Sequence, residues 1–189
     1  MPDDRGTAAL HPRIEELLEH LEETRAAFLM AVAAVPGPLR TDRPAPGRWS
    51  LGEIVDHVHK VETGFIRLFT KRVAEARARG HASETETSSI FAGFDTRRAT
   101  DRRTPIDAPP LVLPREGAPV DEGLAALAES HARLRAALAD ASGLALGTIT
   151  HTHPIFGTLD MYQWGIVLGL HDARHADQVR EMAQGSSAR

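Results

Sequence analysis

The chain has 189 residues, a formal net charge of −4 at pH 7 and no cysteine. This length suffices for one domain with a hydrophobic core, and the negative charge argues against a protein dedicated to binding nucleic acid. The lack of cysteine excludes disulfides, thiolate metal ligands and a cysteine nucleophile, so any metal site must be built from nitrogen and oxygen ligands.

The first residues give no sign of a targeting segment. Met1–Arg5 lacks the charged-then-apolar pattern of a secretory signal, and no apolar run in the sequence approaches membrane-spanning length. We therefore expect a cytoplasmic protein that makes no use of a membrane.

Two amphipathic helices are predicted in the first half of the chain. Apolar residues recur at helical spacing over about residues 12–35, and Pro12 suits the first turn of this helix. The second helix spans about residues 51–79. Its start carries a capping-box pattern, Ser50 followed three positions later by Glu53.

The second half of the chain predicts a long connection and two more helices. Residues 80–120 lack a sustained period, and a connection of this length usually covers a site or is partly disordered. Helices are predicted over about 121–141 and 158–183, the latter capped by Thr158. Because no segment has a strand-like pattern, we expect an all-α fold. The predicted architecture is a four-helix bundle with a long crossover loop, one domain spanning residues 1–189.

Two histidines stand one helical turn apart near the C-terminus. His171 and His175 point the same way from the predicted fourth helix, on the stripe that should face the interior. Burying two imidazoles in an apolar bundle is costly unless their nitrogens are satisfied. A divalent metal ion would satisfy them, since imidazole is its commonest protein ligand. The alternative is two core histidines hydrogen-bonded to carbonyls or carboxylates.

A third metal ligand has to come from upstream, because few residues follow His175. Catalytic metal sites typically use three protein ligands and keep one position open. His57 lies beside the apolar stripe of the second helix and is our candidate. His131, on the inner face of the third helix, is the rival, although a hydrogen-bonded core histidine is the interpretation that we favour for it.

Three further residues near this site have open roles. His153, in the loop before the fourth helix, either lines the mouth of the site or fixes the loop by a hydrogen bond. Gln178 shares the stripe of the histidine pair, so it either binds a substrate or coordinated water or ties two helices together. Asp172 occupies the place of the general base in the His-Glu-x-x-His pattern of zinc proteases. Aspartate is one methylene too short for that role, and the simpler interpretation is a carboxylate that lies on the surface or supports a metal ligand from behind.

These motifs together resemble a known family. Trp49–His57 is similar to the second-helix signature of the DinB-like superfamily. His153–Gly157, followed by His171-x-x-x-His175-x-x-Gln178, resembles its C-terminal signature. The resemblance implies a four-helix bundle, commonly a homodimer, that binds a divalent metal ion such as zinc or nickel. In this sequence the implied ligands are His57, His171 and His175.

The resemblance also implies a function. Characterised relatives use a small thiol such as bacillithiol, mycothiol or glutathione, either for S-transfer to electrophiles or for isomerisation of maleylpyruvate. We therefore expect a metal-dependent enzyme that transfers a small thiol to a small-molecule electrophile. The alternatives are a metal-dependent hydrolase that uses metal-bound water, and a bundle that binds a metal or small molecule without catalysis. The sequence predicts no catalytic residue beyond the ligands.

Overall fold

The computed structural model describes residues 9–100 and 107–184. In chain order its helices are α1 (Pro12–Ala33), α2 (Leu51–Ala78), the short α3 (Arg97–Thr100), α4 (Val120–Asp140) and α5 (Met161–Gln184). Strands β1 (Thr150–His153) and β2 (Gly157–Asp160) pair as an antiparallel hairpin before α5. The predicted all-α four-helix bundle is confirmed, with this small hairpin as an addition. Over these ranges, none of the helices has the length and apolar character needed to cross a bilayer.

The start of α2 follows the predicted capping chemistry. The Ser50 hydroxyl accepts a hydrogen bond from the Glu53 backbone N–H, and the Glu53 carboxylate accepts one from the Ser50 N–H at 2.8 Å. Gly52 in this first turn lies against the backbone of Ala118, since a Cβ at Gly52 would come within 1.8 Å of the Ala118 carbonyl oxygen. The end of the crossover is thereby held against α2.

The start of α5 differs from the prediction. The assignment of Thr158 as the cap of a helix from about residue 158 is wrong, because Thr158 lies in β2. Asp160 takes that role, since its Oδ1 accepts from the Gln163 N–H at 2.9 Å and Gln163 Oε1 accepts from the Asp160 N–H at 3.1 Å. Trp164 Nε1 donates to the His151 carbonyl at 3.1 Å, which fastens the hairpin to α5. The predicted bounds of the other three long helices differ from the observed ones by at most two residues.

The four long helices are not packed in chain order. α1 packs mainly on α5, and α2 packs mainly on α4. α2 also contacts α5, so the second and last helices share a groove. This arrangement brings His57 of α2 next to His171 and His175 of α5, although they are far apart in the sequence.

Apolar side chains form two core clusters. One includes Leu17, Leu21, Phe69, Leu134 and Ile166, and the other includes Phe28, Val32, Ile54, Leu127 and Val179. Between them, near the middle of each helix, stands a group of polar residues that we call the polar layer. Its members are Arg25 of α1, Glu62 of α2, Ser130 and His131 of α4, and Asp172 of α5. All except His131 are at most 5% exposed.

Arg25 connects the polar layer across the bundle. It donates from Nε to Asp172 Oδ2 at 2.8 Å and from Nη2 to Glu62 Oε2 at 2.7 Å. Ser130 Oγ and His131 Nδ1 also bond to the Glu62 carboxylate. Burial opposes ionisation of Glu62, but its hydrogen bonds and the Arg25 charge outweigh burial, so its pKa is lowered. Burial raises the pKa of Asp172 to about 6 even with Arg25 beside it, because Asp172 has fewer partners.

The crossover between α2 and α4 is tied down at both ends. Early in it, Glu84 accepts hydrogen bonds from Arg13 Nη1 and from Tyr162 Oη, both at 3.0 Å. Late in it, Lys60 Nζ donates to the Leu113 carbonyl at 2.8 Å. The late part of the crossover therefore lies over the groove between α2 and α5.

Candidate metal centre

Three imidazoles meet in the groove between α2 and α5. His171 Nε2 lies 3.0 Å from His57 Nε2 and 3.1 Å from His175 Nε2. The three potential ligand atoms all lie within 4.8 Å of one another. The structure therefore brings together the three histidines that the sequence named as ligands.

Hydrogen bonds on the opposite ring nitrogens fix two of the three tautomers. His57 Nδ1 lies 2.7 Å from the Val112 carbonyl oxygen, which can only accept, so Nδ1 carries the proton. His175 Nδ1 donates in the same way to Gln178 Oε1 at 2.8 Å. Both Nε2 atoms are left with bare lone pairs that face His171, which is the arrangement that ligating histidines adopt.

The protons of the three rings cannot by themselves satisfy this cluster. A neutral imidazole carries one N–H, so His171 can donate from Nε2 to His57 or to His175 but not to both. At least one pair of bare nitrogens thus remains face to face. A divalent ion would convert all three into ligands. Nitrogens about 2.0–2.1 Å from one ion, at angles of 90–110°, lie roughly 2.9–3.4 Å apart, a range that includes the two separations from His171 Nε2.

Electrostatics also favour the ligating form of the rings. Burial lowers the pKa of His57, and burial together with the neighbouring imidazoles lowers the pKa of His171 well below its usual value. Both rings are therefore neutral at pH 7. Behind His171, Nδ1 lies 4.0 Å from Asp172 Oδ1, and both atoms are buried without a hydrogen-bond partner in the part of the chain that the structure describes.

A cavity of about 550 Å³ adjoins the triad. Its walls come from α2, α5, the hairpin turn and the late crossover, and they are mostly apolar. Aromatic rings contribute much of this surface, namely Trp49, Phe65, Phe156 and Trp164. The expectation that the long connection covers a site fits this geometry, because residues 107–109 and Val112 form part of the wall.

The other candidate residues take distinct positions. His131 lies in the polar layer, 3.2 Å from both Glu62 and Glu22, and not with the triad, which favours the hydrogen-bonded interpretation. Gln178 lines the cavity and forms a hydrogen bond with His175 of the triad, a role that the sequence analysis did not include. Asp172 is not on the surface, because it is 2% exposed and bonded to Arg25.

His153 combines the two roles left open for it. Its Nδ1 accepts hydrogen bonds from the backbone N–H groups of Ile155 and Phe156 at 3.1 and 3.4 Å, which fixes the hairpin turn. Its ring also lines the cavity and packs on Trp164, with 4.5 Å between ring centroids. Burial lowers the pKa of His153 to about 4.

Two parts of the site have no clear signal in the sequence. The Val112 carbonyl, which holds His57, belongs to an irregular segment, and any residue offers a carbonyl. Trp49, which the sequence analysis named only as part of a family signature, lines the cavity with its ring 4.8 Å from that of His57. The residues at the start of a helix give no indication that a loop distant in sequence will close over them.

Comparison with known proteins agrees with this architecture. The chain is 25% identical over 142 residues to the uncharacterized protein YuaE of Bacillus subtilis (strain 168), a match that covers 75% of this chain and 82% of that protein. No solved structure matches the chain significantly. A family model described as the DinB superfamily matches residues 8–179, which is most of the sequence. The chain therefore belongs to the DinB superfamily.

Proposed function

We propose that this protein is a metal-dependent enzyme that transfers a small thiol to an electrophile, with zinc or nickel held by His57, His171 and His175. The observation that carries the proposal is the pair of bare Nε2 atoms, each fixed by a hydrogen bond at Nδ1, that face the third imidazole beside a cavity. Such a centre has room for a small molecule next to the ligands.

The chain itself supplies orientation and shelter. A divalent ion held by three neutral imidazoles keeps its full charge and acidifies a bound thiol or water. The protein has no cysteine, so a thiol has to come from outside. The Val112 carbonyl and Gln178 keep two rings in the orientation that a metal ion needs, and mostly apolar walls surround the space beside them.

The contacts of Asp172 weigh against a protease-type hydrolase. Asp172 occupies the position of the general base in the pattern discussed above, but its Oδ2 bonds Arg25 inside the bundle and the residue does not line the cavity. A general base must reach the proton that it abstracts. Thiol transfer needs no such base from the chain, because the attacking group arrives as an ionisable thiol.

Turnover assays test the proposal directly. Protein purified without a histidine tag would be loaded with zinc or nickel and incubated with glutathione, mycothiol or bacillithiol, each paired with an epoxide, an activated alkene or an alkyl halide. We expect at least one pair to give a thioether adduct by mass spectrometry, at a rate that falls to background in His171→Ala. No adduct with any pair would overturn the proposal, and ester hydrolysis without thiol would favour the hydrolase alternative.

The implied homodimer is part of the same proposal. A molar mass near twice the 20.5 kDa of one chain in light scattering would support it. A single-chain mass at every concentration tested would contradict it without affecting the metal centre, whose three ligands all come from one chain.

A further inference from the structure

Apart from the triad, the cavity wall carries a histidine whose tautomer is also fixed by the fold, His153. Because His153 Nδ1 accepts from two backbone N–H groups, the proton of the neutral ring is on Nε2. No residue in the described ranges accepts a hydrogen bond from that Nε2–H. The ring is wedged between Trp164 and Phe156, with centroid distances of 4.5 and 4.9 Å, so it cannot easily turn away from the cavity.

The rest of the wall is suited to a flat molecule. Both tryptophans of the chain line the cavity, and the rings of Trp164 and Phe65 lie nearly parallel there, at an interplanar angle of 23°. Aromatic rings attract other flat π systems by stacking and edge contacts. A volume of about 550 Å³ accommodates a fused two-ring compound with a short substituent.

Gly64 provides an independent indication of where a ligand lies. It stands within the 28-residue helix α2, where glycine is less stable than alanine by about 0.5–1 kcal/mol. A Cβ at Gly64 would meet no atom within 4 Å, so packing of the free protein does not explain the glycine. Gly64 lines the cavity, and the missing side chain leaves space directly over the helix backbone.

We infer that this cavity binds a flat aromatic compound that bears a carbonyl oxygen. The ring system lies against Trp164 and over Gly64, and the oxygen accepts the hydrogen bond from His153 Nε2. The inference rests on the proposed function only in treating this cavity as the substrate site, and it narrows the electrophile to an aromatic carbonyl compound. His153 is a substrate-binding residue in this assignment. Its low pKa, about 4, keeps it a neutral donor throughout the physiological range.

A matched pair of ligands tests the hydrogen bond without any substitution. We would titrate the full chain with 2-acetylnaphthalene and with 2-isopropenylnaphthalene, which replaces C=O by C=CH2 at nearly the same shape. The two tryptophans give two indole N–H signals in an NMR spectrum, and both belong to cavity residues. We expect both signals to shift and the ketone to bind roughly five- to tenfold more tightly, the usual contribution of one hydrogen bond. Equal affinities, or signals that do not move, would overturn the inference.

Three variants separate the parts of the cavity. In His153→Phe the ketone should bind only as tightly as the alkene, whereas His151→Phe, on the same strand but outside the cavity, should keep the preference. In Gly64→Leu both ligands should bind at least tenfold more weakly while the thermal midpoint does not fall. A preference for the ketone that persists in His153→Phe, or unchanged binding in Gly64→Leu, would contradict the assignment.

The titrations are run with and without zinc so that this inference and the proposed function fail separately. A ketone preference in metal-free protein supports the role of His153, whether or not any thiol is ever transferred. A preference that appears only with zinc would assign the carbonyl to the metal and overturn the role of His153. Absence of turnover in the thiol assays would contradict the proposed function but would not change the ketone preference measured in metal-free protein.

Discussion

Two regions bury polar groups between the same helices, and they solve the problem of desolvation in opposite ways. In the polar layer, the charge of Arg25 is placed between two carboxylates, those of Glu62 and Asp172, at hydrogen-bond distance. In the histidine triad, like groups face one another, and bare nitrogens remain after the chain has used its own donors. The charges of the polar layer are paired within the chain, whereas the triad is a set of neutral rings that a divalent cation could join.

The inward-facing histidines of the two regions also differ in their neighbours. His131 belongs to the polar layer and contacts the carboxylates of Glu62 and Glu22. His171 contacts two other imidazoles, and a carboxylate lies 4.0 Å from its far nitrogen. His131 is therefore held by carboxylates inside the bundle, whereas His171 faces imidazoles that could share a metal ion with it. Substitutions in the two regions should therefore affect different measurements.

The largest effect is expected when the polar layer loses its cation. Arg25→Met leaves the carboxylates of Glu62 and Asp172 buried without their shared partner, which should lower the free energy of unfolding by about 3–5 kcal/mol. Urea denaturation of the metal-free protein measures it. The matched control is Arg77→Met, because the Arg77–Asp140 pair is exposed and should contribute at most about 1 kcal/mol. Equal losses in the two variants would mean that the polar layer has no special role.

Substitutions in the triad should lower the affinity for zinc more than the stability of the fold. Alanine at His57, His171 or His175 should each weaken zinc binding by at least about a hundredfold, roughly 3 kcal/mol, because three ligands become two. Competition with a chromophoric chelator measures the dissociation constant.

His131→Ala is the control for the triad variants. It should bind zinc as the unsubstituted chain does while losing stability, since it removes a partner of Glu62 and leaves the triad intact. A large loss of zinc affinity in His131→Ala, or full affinity in any of the three triad variants, would contradict the division between the two regions.

These two regions differed in how far the sequence could predict them. The helical period is local, so the spacing of His171 and His175 and the position of His57 beside an apolar stripe were enough to name the three histidines that meet in the groove. No local pattern in the sequence identifies the partner of Asp172. Arg25 lies on another helix, and only the packing of α1 on α5 buries Asp172 against this partner. That burial contradicts the surface alternative and leaves the carboxylate behind His171.

The hairpin was missed for a related reason. The four residues of β1 alternate threonine and histidine, so no apolar side chain marks one face of a strand. β1 is held by its pairing with β2 and by the hydrogen bond from Trp164 to the His151 carbonyl. Neither contact has a pattern in the sequence. The histidine of the turn, His153, could be proposed as a site residue, but its fixed tautomer depends on backbone groups of that hairpin.

Substitutions of Gln178 test whether fixing the tautomer of His175 matters for zinc binding. Gln178→Leu removes the acceptor for His175 Nδ1 and should weaken zinc binding by about tenfold, as is usual for partners of ligating histidines. Gln178→Glu keeps an acceptor and should bind zinc at least as tightly as the unsubstituted chain. Gln163→Leu is the control on the same helix, because Gln163 bonds only the cap of α5. Unchanged affinity in Gln178→Leu would show that packing alone orients His175.

The smallest expected effect is on the pH dependence of stability, and it comes from His153 in the cavity wall, outside both regions. Burial lowers the pKa of His153 to about 4, below the value near 6.5 that it has when unfolded. Protons therefore bind the unfolded chain more readily, so the contribution of His153 to stability is complete above pH 6.5 and is lost as the pH falls towards 4. Since the ring is only partly buried, we expect a loss of about 1 kcal/mol between pH 7 and 5.

His153→Phe should remove this part of the pH dependence, because phenylalanine cannot titrate. Urea denaturation of the metal-free protein at pH 7 and pH 5 measures the difference in the free energy of unfolding. Phe156→Leu is the control, since it disturbs the same ring contact without removing a titratable group and should keep the original slope. If His153→Phe kept that slope as well, the imidazole would already be titrating as it does in water. The two backbone hydrogen bonds that hold its proton on Nε2 would then not persist in solution.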